Sequence, residues 1–298
     1  MAVVVIAGSS GFLGSALTEL LSADGHEVRR LVRRPARAQS EISWDPSTGH
    51  LPDEALTGAS AVVNFAGVGV GDRRWSPTRR QAILTSRVAP TTLLATRIAA
   101  TGRTDLSLVN ASAVGFYGDR GEEQIDEGST AGASFLATVC QAWEAAADPA
   151  RAAGARVVHL RTGIVLDAKG GALTRMLPLL KLGLAGPLGD GGQWWPWITR
   201  EDVLKAIEHL LLRSTLHGPV NLTAPHPERN RDVMTALASA VGRPAVLPVP
   251  AFALRLALGG FAGELLASQR VIPSALLGDG FTFTWPELDR AAKHLLGD

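Results

Sequence analysis

The chain has 298 residues, 46% of them hydrophobic and 19% charged, enough to bury a large core as one domain or as a domain with an added lobe. A net charge of +1 excludes a whole-protein field that gathers nucleic acid or an anionic membrane surface. The one cysteine, Cys140, excludes an intramolecular disulfide, and the start lacks the basic region of a signal peptide, so a cytoplasmic location is expected.

The first element is an apolar, β-branched strand, Val3 to Ile6, that runs into Gly8, Gly11 and Gly14. Phe12, Leu13, Ala16, Leu17, Leu20 and Leu21 follow at helical spacing. A strand, a glycine turn and a helix together receive a dinucleotide pyrophosphate. Gly8 permits the tight turn, Gly11 lets backbone approach phosphate, and Gly14 lets the helix pack on the strand. The second strand, residues 27–33, ends in Leu31, Val32, Arg33, Arg34 and Pro35. An NAD-preferring chain usually has a carboxylate there for the ribose hydroxyl. Two guanidinium groups favour the extra phosphate of NADP, with Arg33 the first contact and Arg34 the second. The alternative is a solvated basic edge, since Arg29, Arg30 and Arg37 are nearby.

Residues 60–67 read as a buried strand ending at a glycine. A helical stretch spans 77–100, and Pro90 inside it predicts a kink or a break. A strand and loop cover 106–118, a helical stretch 133–154, a strand 155–166, an amphipathic helix 201–213 and a late strand 219–225. The alternation predicts an α/β fold, a Rossmann-type doubly wound parallel sheet over residues 1–225. Residues 226–298 read as a small C-terminal α+β lobe, and the Gly-, Leu- and Pro-rich 166–200 as a mobile covering loop. Trp194, Trp195 and Trp197 either line a pocket or nail that cover down. Asp202 is expected to cap or orient the helix after it. The apolar stretch 246–267 is interrupted by two prolines, Arg255 and Glu264, and does not read as a membrane span. No metal-ligand spacing occurs.

These segments resemble the extended short-chain dehydrogenase/reductases, the group that includes nucleotide-sugar epimerases and dehydratases. AGSSGFLG (7–14), NFAG (64–67) and SAVGFYG (112–118) carry the resemblance. SWDP (43–46), RRW (73–75), RTGIVL (161–166), QWWPWI (193–198) and GPVNLTAP (218–225) narrow it to an atypical branch, epimerase-family proteins with a C-terminal domain of unknown function. The resemblance implies a bound NADP. The expected cofactor set is Gly8, Ser10, Gly11, Phe12, Leu13, Gly14, Val32, Arg33, Arg34, Phe65, Ala66, Gly67, Arg87, Ser112 and Leu166.

Extended enzymes of that group carry Asn, Ser, Tyr and Lys around the nicotinamide. The Tyr moves a proton at the substrate hydroxyl, and the Lys one turn on lowers its pKa and holds the ribose. The only tyrosine here is Tyr117, and Gly121 follows it by four, so no Tyr-x-x-x-Lys occurs. Leu136 and Cys140 align with the Tyr and Lys, Ala113 with the Ser (Ser112 being one residue off), and Arg87 with the Asn. Cys140 reads as a small buried helix residue. Ser112 and Tyr117 remain as candidate catalytic groups. The leading expectation is therefore an NADP(H)-dependent oxidoreductase of unknown small-molecule substrate, and the second a non-enzymatic NADP(H) sensor. An ordinary nucleotide-sugar epimerase ranks last. A monomer or homodimer is expected, with no nucleic-acid or membrane partner.

Overall fold

The computed structural model describes residues 1–245 and 247–297. Val246, at the head of the apolar stretch 246–267, and Asp298, the last residue of the C-terminal lobe, lie outside the described residues. Strand β1 (Val3–Ala7) feeds α1 (Phe12–Ala23), and β2 (Glu27–Val32) and β3 (Glu41–Ser43) follow. After β4 (Ala61–Asn64) come the long helix α2 (Pro77–Ala100), β5 (Ser107–Ala113), the short β6 (Gln124–Ile125), α3 (Phe135–Ala145) and α4 (Asp148–Ala152). The chain continues through β7 (Val157–Thr162), β8 (Ile164–Leu166), α5 (Gly171–Lys181), β9 (Trp194–Trp195), β10 (Trp197–Thr199), α6 (Arg200–Leu212) and β11 (Gly218–Leu222). The last elements are β12 (Glu228–Arg229), α7 (Asn230–Ala240), α8 (Ala251–Leu258), α9 (Phe261–Leu266), β13 (Arg270–Val271), α10 (Ser274–Gly278) and α11 (Leu288–Leu296).

Seven strands form one parallel sheet in the order β11-β7-β5-β4-β1-β2-β3. Successive side chains of a strand point to opposite faces, so a strand buried on both sides must be apolar throughout. Val4 and Ile6 pack on Leu17 and Leu21 of α1 and on Val203 and Ile207 of α6. Val5 and Ala7 face the other way, towards Leu94 and Ile98 of α2 and Ala150 of α4. Helices thus cover both faces, as the doubly wound reading requires.

Helix α2 starts at Ser76, whose hydroxyl accepts from Arg79 N–H, with Pro77 in its first turn. It then runs unbroken through Pro90, where the sequence predicts a kink or a break. Pro90 removes one backbone bond to Ser86. Ile83 before it is buried, and Leu94 and Ile98 after it pack in the core shared with β1.

The stretch expected to be a covering loop contains helix α5. Its Leu173 and Leu180 share a core with Trp195, Trp197, Val233, Leu237, Leu288 and Ala291. Trp195 and Trp197 are therefore packing anchors and do not line the cleft described below. The guanidinium groups of Arg229 and Arg270 lie against the Trp194 ring, 4.4 and 4.8 Å from its centroid, and Trp194 donates Nε1–H to Glu122 at 2.9 Å. The cap of α6 is Thr199, which accepts from Asp202 N–H. The buried Asp202 carboxylate instead accepts the backbone N–H groups of Thr284 and Trp285, at 2.7 and 3.0 Å, and ties the C-terminal segment to α6. No helix of the described residues is long and apolar enough to cross a membrane.

Candidate functional site

The strand order reverses beside β1, because α1 leads to β2 on one side and the chain crosses back to β4 on the other. Ligands of open parallel sheets bind outside the carboxyl ends of the strands at such a point. A cleft of about 610 Å³ opens there, lined by Gly8 to Gly11, Leu31 to Arg34, Trp44 to Ser47, Phe65 to Val68, Ser86, Ala89 and Pro90.

Its floor is backbone. Gly8 has φ of 76°, and a Cβ there would stand 2.8 Å from the Phe65 carbonyl carbon. A Cβ on Gly14 would stand 2.2 Å from the Gly8 oxygen, so only glycine lets α1 approach the turn this closely. Gly11 N–H donates to Gly8 O at 3.0 Å. Gly11 also begins α1 with no side-chain cap and no acidic residue in the first turn, which leaves the helix N–H groups and dipole for an anion. A tight turn that admits no Cβ at Gly8 or Gly14, beside an uncapped helix N-terminus, fits a pyrophosphate.

At the end of β2 the two arginines separate. Arg34 makes paired bonds to Glu41, at 2.7 and 2.8 Å, and Arg30 joins the same carboxylate at 3.0 Å. The Arg34 guanidinium and Arg37 N–H hold the Glu41 carboxyl down to about 2. Arg33 is exposed on the cleft wall and has no acceptor among the described residues. Beside it stands Trp44–Ser47, where Trp44 N–H donates to Val32 O at 3.0 Å and Asp45 accepts from Ser47 N–H and Oγ–H at 2.8 and 2.6 Å. This wall is a site element that residue chemistry alone did not point to; the SWDP string was its only signal.

Beneath the cleft, Asn64 donates to Asn110 Oδ1 and Thr91 Oγ1, at 2.8 and 2.9 Å, and accepts from Ala66 N–H at 3.0 Å. That bond sets the path of Phe65–Gly67. The network was not foreseen, since Thr91 and Asn110 belong to distant segments.

Several expected residues stand outside the cleft. Phe12 packs under Gly170, where a Cβ would fall 2.3 Å from its ring, and Leu13 joins the α1–α6 core. Leu166 is buried and paired with Thr199. Arg87 lies behind Gly67.

Ser112 and Tyr117 belong to a second, buried network. Ser112 donates Oγ–H to Glu144 at 2.7 Å. Glu144 takes Nε–H and Nη2–H of Arg161, both at 2.9 Å. Arg161 Nη1–H donates to Tyr117 Oη at 3.1 Å, and Tyr117 donates to Asn221 Oδ1 at 2.7 Å. Tyr117 is fully buried, and burial pushes its hydroxyl above the ordinary tyrosine value. The expectation of Tyr117 as a proton donor is corrected on that ground: both sides of its hydroxyl are spent on protein. Cys140 is buried as expected, its thiol pushed up to about 12 by burial.

A parallel seven-stranded sheet with a glycine-floored cleft at its switch point defines a Rossmann-type dinucleotide-binding protein. The sequence profile of the NAD dependent epimerase/dehydratase family matches residues 4–222, and that of a domain of unknown function, DUF1731, matches residues 249–295. The chain belongs to the NAD dependent epimerase/dehydratase family, whose members are NAD(P)-binding, oxidoreductase-type proteins, and carries that C-terminal domain.

Among relatives, epimerase family protein Mb2239 of Mycobacterium bovis is 47% identical over 95% of this chain and 93% of its own length. Human epimerase family protein SDR39U1 is 36% identical over 98% and 99%. The crystal structure of the human protein (isoform 2) with NADPH superposes with a TM-score of 0.89 at 34% identity, covering 99% of both chains. A nucleoside-diphosphate sugar epimerase from Corynebacterium glutamicum superposes with a TM-score of 0.80 at 38% identity, covering 99% of this chain and 58% of that one.

These likenesses overturn the ranking reached from the sequence, in which a nucleotide-sugar epimerase came last. That ranking weighed four substituted positions; likeness to epimerases extends over the whole chain.

Proposed function

We propose that the chain is an NADP(H)-dependent epimerase-type enzyme whose substrate is a nucleoside-diphosphate sugar. The observation that carries the cofactor half is Arg33, a guanidinium with no acceptor among the described residues, at the end of β2 on the wall of a cleft floored by Gly8 and Gly11. A cation there suits a 2′-phosphate, where a carboxylate suits a 2′-hydroxyl. The solved human relative with NADPH and the Corynebacterium sugar epimerase support the two halves of the reading.

In this reading Gly8, Ser10, Gly11 and the start of α1 hold the pyrophosphate, and Val32 and Arg33 the adenosine side. Residues 1–225 hold the cofactor, and residues 226–298, with 166–200 above the sheet, close the substrate side. The chemistry such a cofactor supplies when bound is reversible hydride transfer at a hydroxyl-bearing carbon. Leu136 and Cys140 offer no proton carrier for that hydroxyl. Ser112 is the penultimate residue of β5, and its hydroxyl donates to Glu144.

The test is a fluorescence titration with NADPH and NADH against the parent chain and Arg33→Ala. Incubation with UDP-glucose, UDP-N-acetylglucosamine and dTDP-glucose, with epimers resolved by chromatography, follows. Tight NADPH binding, weak NADH binding and loss in Arg33→Ala are expected, with at least one epimer formed. Equal affinity for the two cofactors sinks the NADP part. Tight binding without an epimer from any of the sugars sinks the substrate part.

A further inference from the structure

The string RRW (73–75) lies outside the cofactor cleft, on the loop from β4 to α2. Donors from several directions fix that loop. Trp75 donates Nε1–H to Val70 O at 2.8 Å, and Arg79 Nη2–H donates to Gly69 O. Arg175 of α5 donates to Gly71 O at 2.9 Å and to Asp72 at 2.7 Å. The Trp75 ring packs against Phe135 of α3 and Phe261 of α9, with centroids 4.9 and 5.9 Å away.

What this platform holds out is positive charge. Arg73, Arg74 and Arg80 are exposed, and none has a side-chain hydrogen bond or an ion pair among the described residues. Residues 73–80 contain no carboxylate, and neither do residues 247–263, which include the α8–α9 turn. Arg74 and Arg80 meet that turn. A Cβ on Gly259 would stand 3.4 Å from Arg74 Nε, and a Cβ on Gly260 would stand 3.4 Å from Arg80 Nη2. The Arg80 guanidinium also lies over the rings of Phe135 and Trp75, at 5.0 and 5.7 Å. Cations already held in place lose little side-chain freedom when an anion arrives, which lowers the cost of binding it. Their planar forks match the paired oxygens of a phosphate.

The platform stands on the substrate side. Its loop continues from Phe65–Val68 of the cleft, past the end of β4. Phe135 is followed by Leu136, the residue aligned with the family's proton-carrying Tyr, and a Cβ on Gly115 would stand 3.3 Å from Leu136 Cβ. The clustered guanidinium groups therefore adjoin the first turn of α3 and lie away from the Gly8–Gly14 turn.

We propose that Arg74 and Arg80 clamp the diphosphate of the substrate, with the Gly259–Gly260 turn of the C-terminal lobe as the backing of the clamp. Arg73 adds positive charge beside it. The diphosphate assignment rests on the nucleoside-diphosphate sugar reading above.

The experiment first saturates the chain with NADPH, which fills the pyrophosphate site at Gly8–Gly14. Inorganic pyrophosphate, UDP-glucose and dTDP-glucose are then titrated by calorimetry into the parent chain, Arg74→Gln and Arg80→Gln, and thermal melting reports folding. Each variant is expected to weaken pyrophosphate and the nucleotide sugars about tenfold or more, and to leave NADPH affinity within about twofold. If either variant fails to fold, Arg74→Lys or Arg80→Lys carries the test, with a loss of about threefold or more, since a single ammonium replaces the planar fork. Pyrophosphate binding that depends on both arginines, with neither sugar bound, keeps a phosphate clamp and sinks the sugar reading. Sugar binding that both variants leave unchanged keeps the sugar reading and overturns the clamp. An equal loss of NADPH affinity also overturns it, because the arginines then serve the cofactor. Binding of none of the three ligands to the parent chain overturns both.

Discussion

Glu144 of α3 and Arg161 of β7 meet as a paired carboxylate and guanidinium, with both contacts at 2.9 Å and side chains only 13% and 5% exposed. The pair joins Ser112 at the end of β5 to Tyr117, and through Tyr117 to Asn221 on β11. Removing one member leaves the other buried without its counter-charge. Glu144→Ala is expected to lower unfolding free energy by about 3–5 kcal/mol. Urea denaturation followed by fluorescence measures it, and a loss below about 1 kcal/mol would show that the pair behaves like a surface contact.

Tyr117→Phe separates structure from chemistry at the same network. The change strips Asn221 Oδ1 of its donor and Arg161 of one acceptor. A stability loss of about 1–3 kcal/mol is expected, with NADPH affinity and turnover unchanged. A collapse of turnover with stability intact would return Tyr117 to the reaction.

At the end of β2, Arg34→Ala should differ from Arg33→Ala. Arg34 is bound to Glu41, so its loss is expected to reduce stability and leave NADPH affinity nearly unchanged. Arg33→Ala should do the reverse. Calorimetry on the two variants reads the difference, and an equal loss of affinity would mean that Arg34 leaves Glu41 to join the ligand.

The Glu41 carboxyl is held near 2, chiefly by the Arg34 hydrogen bond. A carboxyl depressed in the folded state contributes stability that is fully present above its unfolded value, about 4.3. That contribution is lost as pH falls through the folded value. The stability gap between the parent chain and Glu41→Gln should therefore be widest above about pH 4.3 and close towards about pH 2. Urea midpoints across that range check it, and a gap that is flat with pH would contradict the pairing.

Cys140 is buried, and its thiol is pushed up to about 12. A thiol reagent at neutral pH is expected to leave the folded chain unmodified and to react at once in urea. Fast reaction of the folded chain would mean that α3 opens near the site.

The legible parts of this protein are those set by neighbours in the chain. Gly8 needs its left-handed backbone and Gly14 its missing side chain for a contact only a few residues away. Val3 to Ile6 are apolar in succession because both faces of β1 are covered. The strand–glycine–helix reading and the doubly wound sheet followed from that. Pro90 does not break α2, because residues buried on both sides of it hold the helix in place. The ranking against an epimerase misled because it weighed four positions over the likeness of the whole chain.

What the sequence determined by itself is the sheet, its glycine turn and the cation at the end of β2, all written in local periodicity and backbone geometry. Tertiary structure alone decided how otherwise similar side chains were used. Glu41 takes Arg34 and leaves Arg33 to the cleft. Asn221, 104 positions away in sequence, takes the Tyr117 hydroxyl. Folding set Arg87 behind Gly67. A polar group's role depends on which partner reaches it, and those partners come from distant segments that only folding brings together.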